Sequence, residues 1–341
     1  MNRTTLRFVA GAALAGSAWA LLALPSASAS ATRTPQASPT TSTTATGSVR
    51  TVRTAAELSS ALAAARPGQV VQLADGTYRG RFAIKTAGTA AAPIVLRGGR
   101  GAVLDGGDVA TGYALHLDGA RSWRLEGFTV RGAQKGVVLD RSSEVVMDGL
   151  DVGGLGMEAI HFRTGSSDNR LTNSLVHDTG RVEPGFGEGV YVGSAASNWS
   201  KYGDGGPDRS DRNAIVGNRI WRTTAESIDV KEGTTGGVIS DNSFDGAGLS
   251  GAHFADSWLD LKGNGYRVAG NIGVGTLLDG FQTHVQLPGW GRENVFTGNR
   301  LTVDAPGYGI NVDEPADTGN VVACDNTASG AGRGLSNLPC R

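Results

Sequence analysis

Residues 215–242 read IVGNRIWRTTAESIDVKEGTTGGVISDN, and this stretch contains one complete unit of a repeat. It opens on an apolar residue, Ile215, three positions before Asn218, and it closes on the same spacing at Asn242. Between these marks lies Ser227-Ile-Asp-Val230, a short run of alternating apolar residues that is typical of a β-strand. A unit of this length, with short strands separated by Gly, Asn and Asp, predicts one coil of a parallel β-solenoid.

Both marks recur along the chain. The apolar residue stands two or three positions before Gly or Asn at Leu125/Gly127, Val146/Gly149, Leu171/Asn173, Ile215/Asn218, Ile239/Asn242, Val268/Asn271, Phe296/Asn299 and Ala323/Asn326. The strand, which starts on a small residue everywhere except Trp258, recurs at 136–139, 159–162, 189–192, 227–230, 258–261, 280–283 and 309–312. Stacked coils would bring the asparagines of one turn into a ladder that satisfies buried backbone amides.

The fold class predicted is therefore all-β, a parallel β-helix, with a helix at its N-terminal end. The segment Thr54–Arg66 is Ala-rich, has helical periodicity and stops at Pro67-Gly68, so we expect it to cap the open core. No other helix is predicted. A β-sandwich or a propeller is the alternative, but the two-residue hairpins that such folds need are scarce here. Cys324 and Cys340, the two cysteines of the chain, are predicted to form a disulfide near the C-terminal end.

The first 50 residues are predicted to lie outside the β-helix. Residues 1–31 combine two arginines, an apolar run and a Ser/Ala stretch, which indicates a secretory signal peptide. Residues 32–50 are rich in Ser, Thr and Pro and predict a flexible spacer, leaving 51–341 as the β-helix domain; an uncleaved anchor with a stalk is the alternative. We expect a secreted monomer.

Charge excludes one class of function. The chain has 31 basic and 32 acidic residues, and removal of the signal peptide would leave 29 − 32 = −3. No global positive field is available to attract a nucleic acid or an anionic membrane, so we expect neither partner. Affinity for an acidic polymer would have to come from a few cations on one face.

The solvent face of the recurring strand carries the candidate site. Side chains alternate along a strand, so the residue between the two apolar positions points outward. The first outward column predicted is Val138, His161, Tyr191, Asp229, Asp260, Gln282 and Asn311. The second, two residues later, is Asp140, Arg163, Gly193, Lys231, Lys262, His284 and Asp313, and Glu158, Glu188 and Glu226 stand before their strands. A plain surface of ion pairs is the alternative interpretation.

Two features favour catalysis over a plain surface. Lys231 and Lys262 are predicted to lie one coil apart, and repulsion between two ammonium groups would lower the pKa of one of them toward that of a general base. The long insertion 194–212 is expected to lie beside this face, where Trp199 and Tyr202 would stack on a sugar ring.

The chain resembles the right-handed parallel β-helix enzymes of the pectin-lyase-like superfamily, and most closely in motif the polysaccharide lyases of the chondroitinase B and alginate lyase family. Leu73-Ala-Asp-Gly-Thr-Tyr78 and Pro93-Ile-Val-Leu-Arg-Gly98 are similar to the opening coils of that family. Glu226-Ser-Ile-Asp-Val-Lys231 is similar to the segment that holds a calcium ligand and the base. The resemblance implies a right-handed coil, Lys231 as the base and Glu226 as a ligand of Ca²⁺. The sequence departs from the family at Thr224, where the family has a second acidic ligand, and at Lys262, where the family has an Arg-His-Gly motif.

The predicted function is a secreted polysaccharide lyase that cleaves a uronate-containing glycan by β-elimination, a reaction that needs a base, an acid and neutralisation of the substrate carboxylate. Lys231 is the predicted base, Tyr191 or His161 the acid, and Lys262 or Arg163 the neutralising cation. Further substrate-binding residues are predicted at Glu188, Trp199, Tyr202, Gln282 and His284. One alternative is a glycoside hydrolase that uses Asp229 and Asp260, which would lie near the ~5 Å separation of retaining enzymes. A non-catalytic carbohydrate-binding β-helix is the other.

Overall fold

The computed structural model describes residues 48–341, and these form a parallel β-solenoid whose strands belong to three sheets. In every sheet each strand pairs in parallel with the equivalent strand of the next coil. The signal peptide and nearly all of the spacer lie outside the described residues. The first strand, Val49–Val52, begins two residues before the predicted boundary of the β-helix.

The three sheets run the length of the solenoid. The strands of the first sheet are Val49–Val52, Val70–Leu73, Ile94–Arg97, Trp123–Glu126, Val146–Asp148, Arg170–Thr172, Ala214–Val216, Val238–Ser240, Arg267–Ala269, Val295–Thr297 and Val321–Val322. Those of the second sheet are Gly76–Arg79, Ala102–Asp105, Thr129–Arg131, Asp151–Gly153, Leu175–His177, Arg219–Trp221, Ser243–Asp245, Ile272–Val274, Arg300–Ala305 and Thr327–Ala331. Those of the third sheet are Phe82–Ile84, Tyr113–Asp118, Lys135–Asp140, Ile160–Arg163, Val190–Val192, Ile228–Val230, Leu259–Leu261, Phe281–Thr283 and Ile310–Val312.

The predicted capping helix is confirmed as α1, Ala55–Ala64. It begins at Thr54, whose hydroxyl accepts a hydrogen bond from the backbone N–H of Glu57 while the Glu57 carboxylate binds the backbone of Thr54 in return. Leu58 and Leu62 are fully buried against the first coils, so the helix closes the end of the core. A second helix, α2 (Trp199–Tyr202), lies in the long insertion, where the sequence predicted none. Three 3-10 turns complete the helical elements of residues 48–341: Pro184–Phe186, Ala196–Asn198 and Ala252–Phe254.

Inward-facing apolar columns form the core between the sheets. One column of the first sheet is Leu125, Met147, Leu171, Ile215, Ile239, Val268, Phe296 and Val322, all buried. The sequence prediction was one residue out at two of its eight positions, because Val146 and Ala323 stand beside the true column members. At the other end of the chain the predicted disulfide between Cys324 and Cys340 is confirmed.

The predicted asparagine ladder is confirmed at one turn, where Asn218, Asn242, Asn271, Asn299 and Asn326 stack in successive coils. The side-chain oxygen of each later member accepts from the backbone N–H and the side-chain amide of the Asn before it. Asn173 was wrongly placed in this ladder. Its neighbour Ser174 holds that position, while the Asn173 amide donates to Asp148 at the surface.

Replacing Asn242 by Ala is expected to lower the free energy of unfolding by about 3 kcal/mol or more, since it leaves the buried amides of Asn218 without an acceptor. Chemical denaturation followed by circular dichroism measures this. Asn173→Gly is the matched control: its φ of 49° suits glycine, and loss of one surface hydrogen bond is expected to cost less than about 1 kcal/mol. Equal losses for the two variants would mean that the ladder carries no special stability.

Candidate active site

The third sheet presents the predicted columns in the predicted register. Strand pairing places the first column in the order Val138, His161, Tyr191, Asp229, Asp260, Gln282 and Asn311. In the second column Asp140 pairs with Arg163, and the backbone N–H groups of Lys231 and Lys262 continue the ladder by donating to Val192 and Val230. The repeat therefore brings side chains that are about 30 residues apart in sequence to within one coil of each other.

A third column stands just before the strands. The carbonyls of Glu158, Glu188 and Glu226 each accept a hydrogen bond from the preceding coil, which stacks these three residues in successive coils. Gly189 follows Glu188, and a Cβ at this glycine would lie 2.5 Å from the carbonyl oxygen of Ser227. The close approach of the coils explains why this strand begins on a small residue.

Two walls rise beside this face and define what we call the cleft. One wall consists of the loops 178–188 and 246–257, whose 3-10 turns contact each other through Phe186 and His253. The other is the insertion 194–212 with α2. Between them lies a cavity of about 540 Å³ that contains Glu188, Tyr191, Glu226, Asp229, Lys231, Asp260, Lys262 and His284. A smaller cavity of about 200 Å³ adjoins it and is lined by Lys135, Glu158, His161, Arg163, Lys201 and Tyr202.

Asp208 anchors the insertion to the solenoid. Its carboxylate is buried and accepts hydrogen bonds from the backbone N–H groups of Thr164 and Gly165 and from the hydroxyl of Ser194. These bonds hold the first residues of the loop over the floor of the cleft. The carboxylate is a structural acceptor.

The floor of the cleft contains a chain of alternating charges. Asp229 forms ion pairs with both Lys231 and Lys262, at 3.2 Å in the case of Lys262, and Lys262 also pairs with Asp260. The imidazole of His284 lies next to this chain, with Nε2 3.3 Å from Asp260. The predicted like-charge pair of lysines is thus separated by carboxylates.

The prediction of a lowered lysine pKa was wrong. Burial favours the neutral amine of Lys231, but the nearby carboxylates of Asp229 and Asp260 outweigh burial and raise its pKa above the usual value. The same balance raises the pKa of Lys262. With no substrate bound, both side chains are therefore ammonium ions at neutral pH.

Tyr191 is the proton donor best placed in the cleft. Its side chain lines both cavities, and the Nζ of Lys231 lies 5.0 Å from the centre of its ring. Burial and the negative charges of Asp229 and Glu188 raise the pKa of the phenol, which keeps it protonated. Its hydroxyl makes no hydrogen bond with any residue of 48–341, so the proton is available to a ligand.

Both ring nitrogens of His161, the other predicted acid, have partners within the protein. Its Nε2 donates to the carbonyl of Gly193 at 2.9 Å, and Nδ1 lies 2.8 Å from the carboxylate of Glu158. The imidazole also packs edge-on against Tyr191, with ring centres 4.5 Å apart. Neither ring nitrogen is free for a substrate oxygen, and His161 acts here as a support for Tyr191.

Three predicted substrate-binding residues have structural partners that change their roles. The guanidinium of Arg163 makes two hydrogen bonds of 2.8 Å to Asp140 and lies under the ring of Tyr202, 4.1 Å from its centre. The indole N–H of Trp199 donates to the carbonyl of Ser194 within its own loop, and Trp199 lines neither cavity. The amide of Gln282 donates to Asp256 and to Asp279. Tyr202 and His284 face the cavities as predicted.

Glu188, Glu226 and Asp229 form the one cluster with metal-ligand geometry among residues 48–341. Each offers a carboxylate oxygen, and the three oxygens lie within 4.8 Å of one another. Neither glutamate accepts a hydrogen bond from another described residue. Burial, with repulsion from Glu158 and Asp229, raises the pKa of Glu188 to about 8, and burial, with repulsion from Asp229 and Asp260, raises that of Glu226 to about 9. The two glutamate carboxylates face the cavity without hydrogen-bond partners among the described residues and fit Ca²⁺, which prefers oxygen ligands, while Asp229 would share its carboxylate with Lys231 and Lys262.

The sequence alone did not predict this cluster, because its members come from two successive coils. Thr224, which stands where the family has a second acidic ligand, packs its hydroxyl against Gly180 and Gly187 and does not face the cleft. Its place is taken by Glu188 from the preceding coil. Glu188 was predicted to bind substrate, and only the stacking of coils puts it beside Glu226.

The structure disfavours the hydrolase alternative. Asp229 and Asp260 pair in register, but the ammonium of Lys262 binds both carboxylates. Asp229 is buried, and the two lysines lower its pKa against that burial. A carboxyl that must donate a proton to a leaving group needs a raised pKa.

Comparisons with known proteins agree with this architecture. A family model described as "Right handed beta helix region" matches residues 113–289. A search of curated proteins found no match. No helix within 48–341 has the length and apolar character needed to span a membrane.

Among solved structures, the chain is similar to an alginate lyase from Paenibacillus sp. str. FPU-7, with 39% identity, 86% of this chain and 99% of that chain covered, and a TM-score of 0.80. A pectate lyase, Pel9A, shares the fold at 19% identity, with 80% and 72% covered and a TM-score of 0.59. The periplasmic alginate epimerase AlgG shares it at 11% identity, with 77% and 60% covered and a TM-score of 0.53. The chain therefore belongs to the right-handed parallel β-helix family with the pectin-lyase-like fold.

Proposed function

We propose that this protein is a polysaccharide lyase that cleaves a uronate-containing glycan by β-elimination, and that alginate is its substrate. One observation carries the proposal: a lysine and a protonated tyrosine, Lys231 and Tyr191, face one cavity between two walls, with no other described residue bound to the tyrosine hydroxyl. The similarity to an alginate lyase at 39% identity supports the choice of glycan.

Each of the two side chains has one proton transfer in this reaction. The neutral amine of Lys231 takes the proton from C5 of the uronate, and the electron pair of that C–H bond forms the C4–C5 double bond. The C4–O4 bond breaks, and Tyr191 gives its proton to O4. The phenolate and the ammonium then return to their starting states by proton exchange with water.

Neutralisation of the substrate carboxylate makes the C5 proton acidic enough to be removed. Lys262 provides positive charge on the floor of the cleft, His284 offers a ring N–H, and protonated Glu188 and Glu226 would donate hydrogen bonds to a carboxylate. If Ca²⁺ binds, Glu188, Glu226 and Asp229 would hold it, and its charge would both neutralise the substrate carboxylate and favour the neutral form of Lys231.

The test is incubation of the mature protein with a panel of glycans: alginate, its mannuronate and guluronate blocks, pectate and a glucuronate polymer. A lyase produces ultraviolet absorbance from the new double bond together with new reducing ends. Reducing ends without absorbance would indicate the hydrolase alternative. Retention on an alginate matrix without either signal would indicate the carbohydrate-binding alternative. Exchange of the C5 proton with deuterated water, without chain cleavage, would indicate an epimerase.

Calcium is expected to raise the melting temperature of the wild-type protein. Ligand at a hundredfold excess over Kd stabilises the folded state by about 2.7 kcal/mol, which calorimetry detects as a shift in Tm. Glu226→Gln replaces one carboxylate of the cluster by a neutral amide and is expected to abolish this shift in Tm. Glu144→Gln, at a half-buried glutamate that lines neither cavity of the cleft, is the control and should shift as the wild type does. If calcium leaves the Tm of the wild type unchanged, the proposal that this cluster binds Ca²⁺ is contradicted.

Export is part of the proposal. The polymer substrate is too large to enter a cell, and residues 1–31 have the pattern of a secretory signal. Mass spectrometry of the protein recovered from culture medium would show whether the chain begins near residue 32.

A further inference from the structure

Phe254 stands at the mouth of the cleft with its side chain almost wholly in solvent. Its exposed fraction is 87%, the highest of any large apolar residue within 48–341. The residue lines the same cavity as Lys231 and Glu226. A phenyl ring in this position lies where a polymer entering the cleft would pass.

The backbone that presents this ring is strained. His253 and Phe254 both have a positive φ, 54° and 68°, a region that residues with a Cβ avoid. The turn is nevertheless held at both ends. The backbone and hydroxyl of Ser250 donate to the carbonyl of Thr224, and the backbone N–H of Leu278 donates to Asp256. The strained turn, fixed at both ends, places the backbone of Phe254 at the cleft.

The neighbouring aromatic residues brace the turn. The ring of His253 packs edge to face on Phe186 from the other loop of the same wall, with centres 4.9 Å apart. Its Nδ1 donates to the carbonyl of Gly185 at 3.3 Å. A Cβ at Gly185 would lie 2.4 Å from that nitrogen, so the contact requires glycine. The two loops thus support each other and leave the Phe254 ring uncovered.

We infer that Phe254 is a stacking platform for a pyranose ring of the glycan, next to the ring whose C4–O4 bond is broken. The inference rests on the proposed function, since it takes the glycan to lie in the cleft. The C–H face of a pyranose is apolar and fits an exposed phenyl ring, while the charged floor of the cleft binds the carboxylates. Binding would cover the apolar surface that the free protein leaves in water.

Replacing Phe254 by Ala is expected to raise KM for long alginate chains about tenfold, the effect of losing part of the burial of one phenyl ring. We expect kcat to change by less than about twofold, because the ring touches no reacting atom. Phe254→Trp should keep KM within about twofold of the wild type, since a flat aromatic face remains. Initial rates over a range of polymer concentrations give both constants.

Val182→Ala is the matched control. Val182 is an exposed apolar residue, 47% exposed, on the other loop of this wall, but it lines neither cavity of the cleft. Its KM should equal that of the wild type. The Tm of Phe254→Ala should also be unchanged, since a side chain that packs against little contributes little to the core.

An unchanged KM in Phe254→Ala, in an active enzyme, would overturn the inference and leave the proposed function standing. A fall in kcat together with a fall in Tm would also overturn it, because the ring would then be structural. If the wild type shows no turnover on any glycan, the proposed function fails first. The mobility of the wild type and of Phe254→Ala in an alginate-containing gel would then test the stacking platform. The gel should retard the wild type more, and equal mobility of the two proteins would overturn the inference.

Discussion

Replacement of Lys231 by Ala is expected to lower kcat for the elimination by about a thousandfold, because a positioned general base contributes 10²- to 10⁴-fold to such a rate. The fold should survive the change. Lys262 also binds Asp229, so this buried carboxylate keeps a cation after Lys231 is lost. Initial rates of ultraviolet absorbance on alginate give the loss of activity, and calorimetry of the same preparation shows that the protein is folded.

Lys231→Arg separates the role of a base from that of a charge. Arginine keeps the ion pair with Asp229 but does not lose its proton in a protein. If Lys231 is the base, the Arg variant should be as inactive as the Ala variant. Activity in the Arg variant above about a tenth of the wild type would mean that Lys231 acts through its charge alone.

The pH dependence of the wild-type rate follows from the ion pair of Lys231 with Asp229. The pKa of Lys231 is raised, so the neutral amine is a minor form at neutral pH, and its fraction grows as the pH increases. The rate of elimination should therefore rise toward alkaline pH. A rate that falls over this range would contradict a lysine base.

Tyr191→Phe is expected to lower kcat by about a hundredfold or more, since the leaving oxygen would depart without a proton. The folded state should lose little, because the phenol hydroxyl has no hydrogen-bond partner among the described residues. The ring itself, which packs on His161 and near Lys231, is retained. The variant thus removes one oxygen from the cleft and changes little else.

A substrate with a better leaving group distinguishes an acid from a binding residue. A uronoside with a nitrophenyl group at O4 needs no proton on its leaving oxygen, so Tyr191→Phe should recover most of the wild-type rate on it. Lys231→Ala should stay inactive on the same compound, because its C5 proton still has to be removed. Equal losses for Tyr191→Phe on both substrates would show that this residue does not act as the acid.

The sequence predicts well what the repeat determines. Once the coil is recognised, alternation along each strand fixes which side chains point outward, and Tyr191, Asp229 and Lys231 fall on one face. The asparagine ladder follows from the same repeat. It was misplaced only where Ser174 takes the position of asparagine and Asn173 stands next to it.

The sequence predicts poorly what depends on loops and on side-chain direction. The loop containing His253 and Phe254 has no periodicity, so nothing in its composition shows that it forms a wall of the cleft. Lys231 and Lys262 could be placed one coil apart, but not with a carboxylate between them, and the sign of the pKa shift depends on that carboxylate. Arg163 and Gln282 likewise stand in the expected columns. Only the structure shows that carboxylates of the protein accept their hydrogen bonds.

The most direct test of the account is the mass of the oligosaccharides released from alginate in water labelled with heavy oxygen. Elimination adds no water to the broken bond, so every new non-reducing end should be unsaturated and its fragment lighter by one water than a hydrolysis product, while the new reducing end keeps the original, unlabelled O4. Products with saturated non-reducing ends, heavier by the one labelled water that hydrolysis adds, would show hydrolysis and would contradict the assignment of Lys231 and Tyr191 as the base and acid of a lyase.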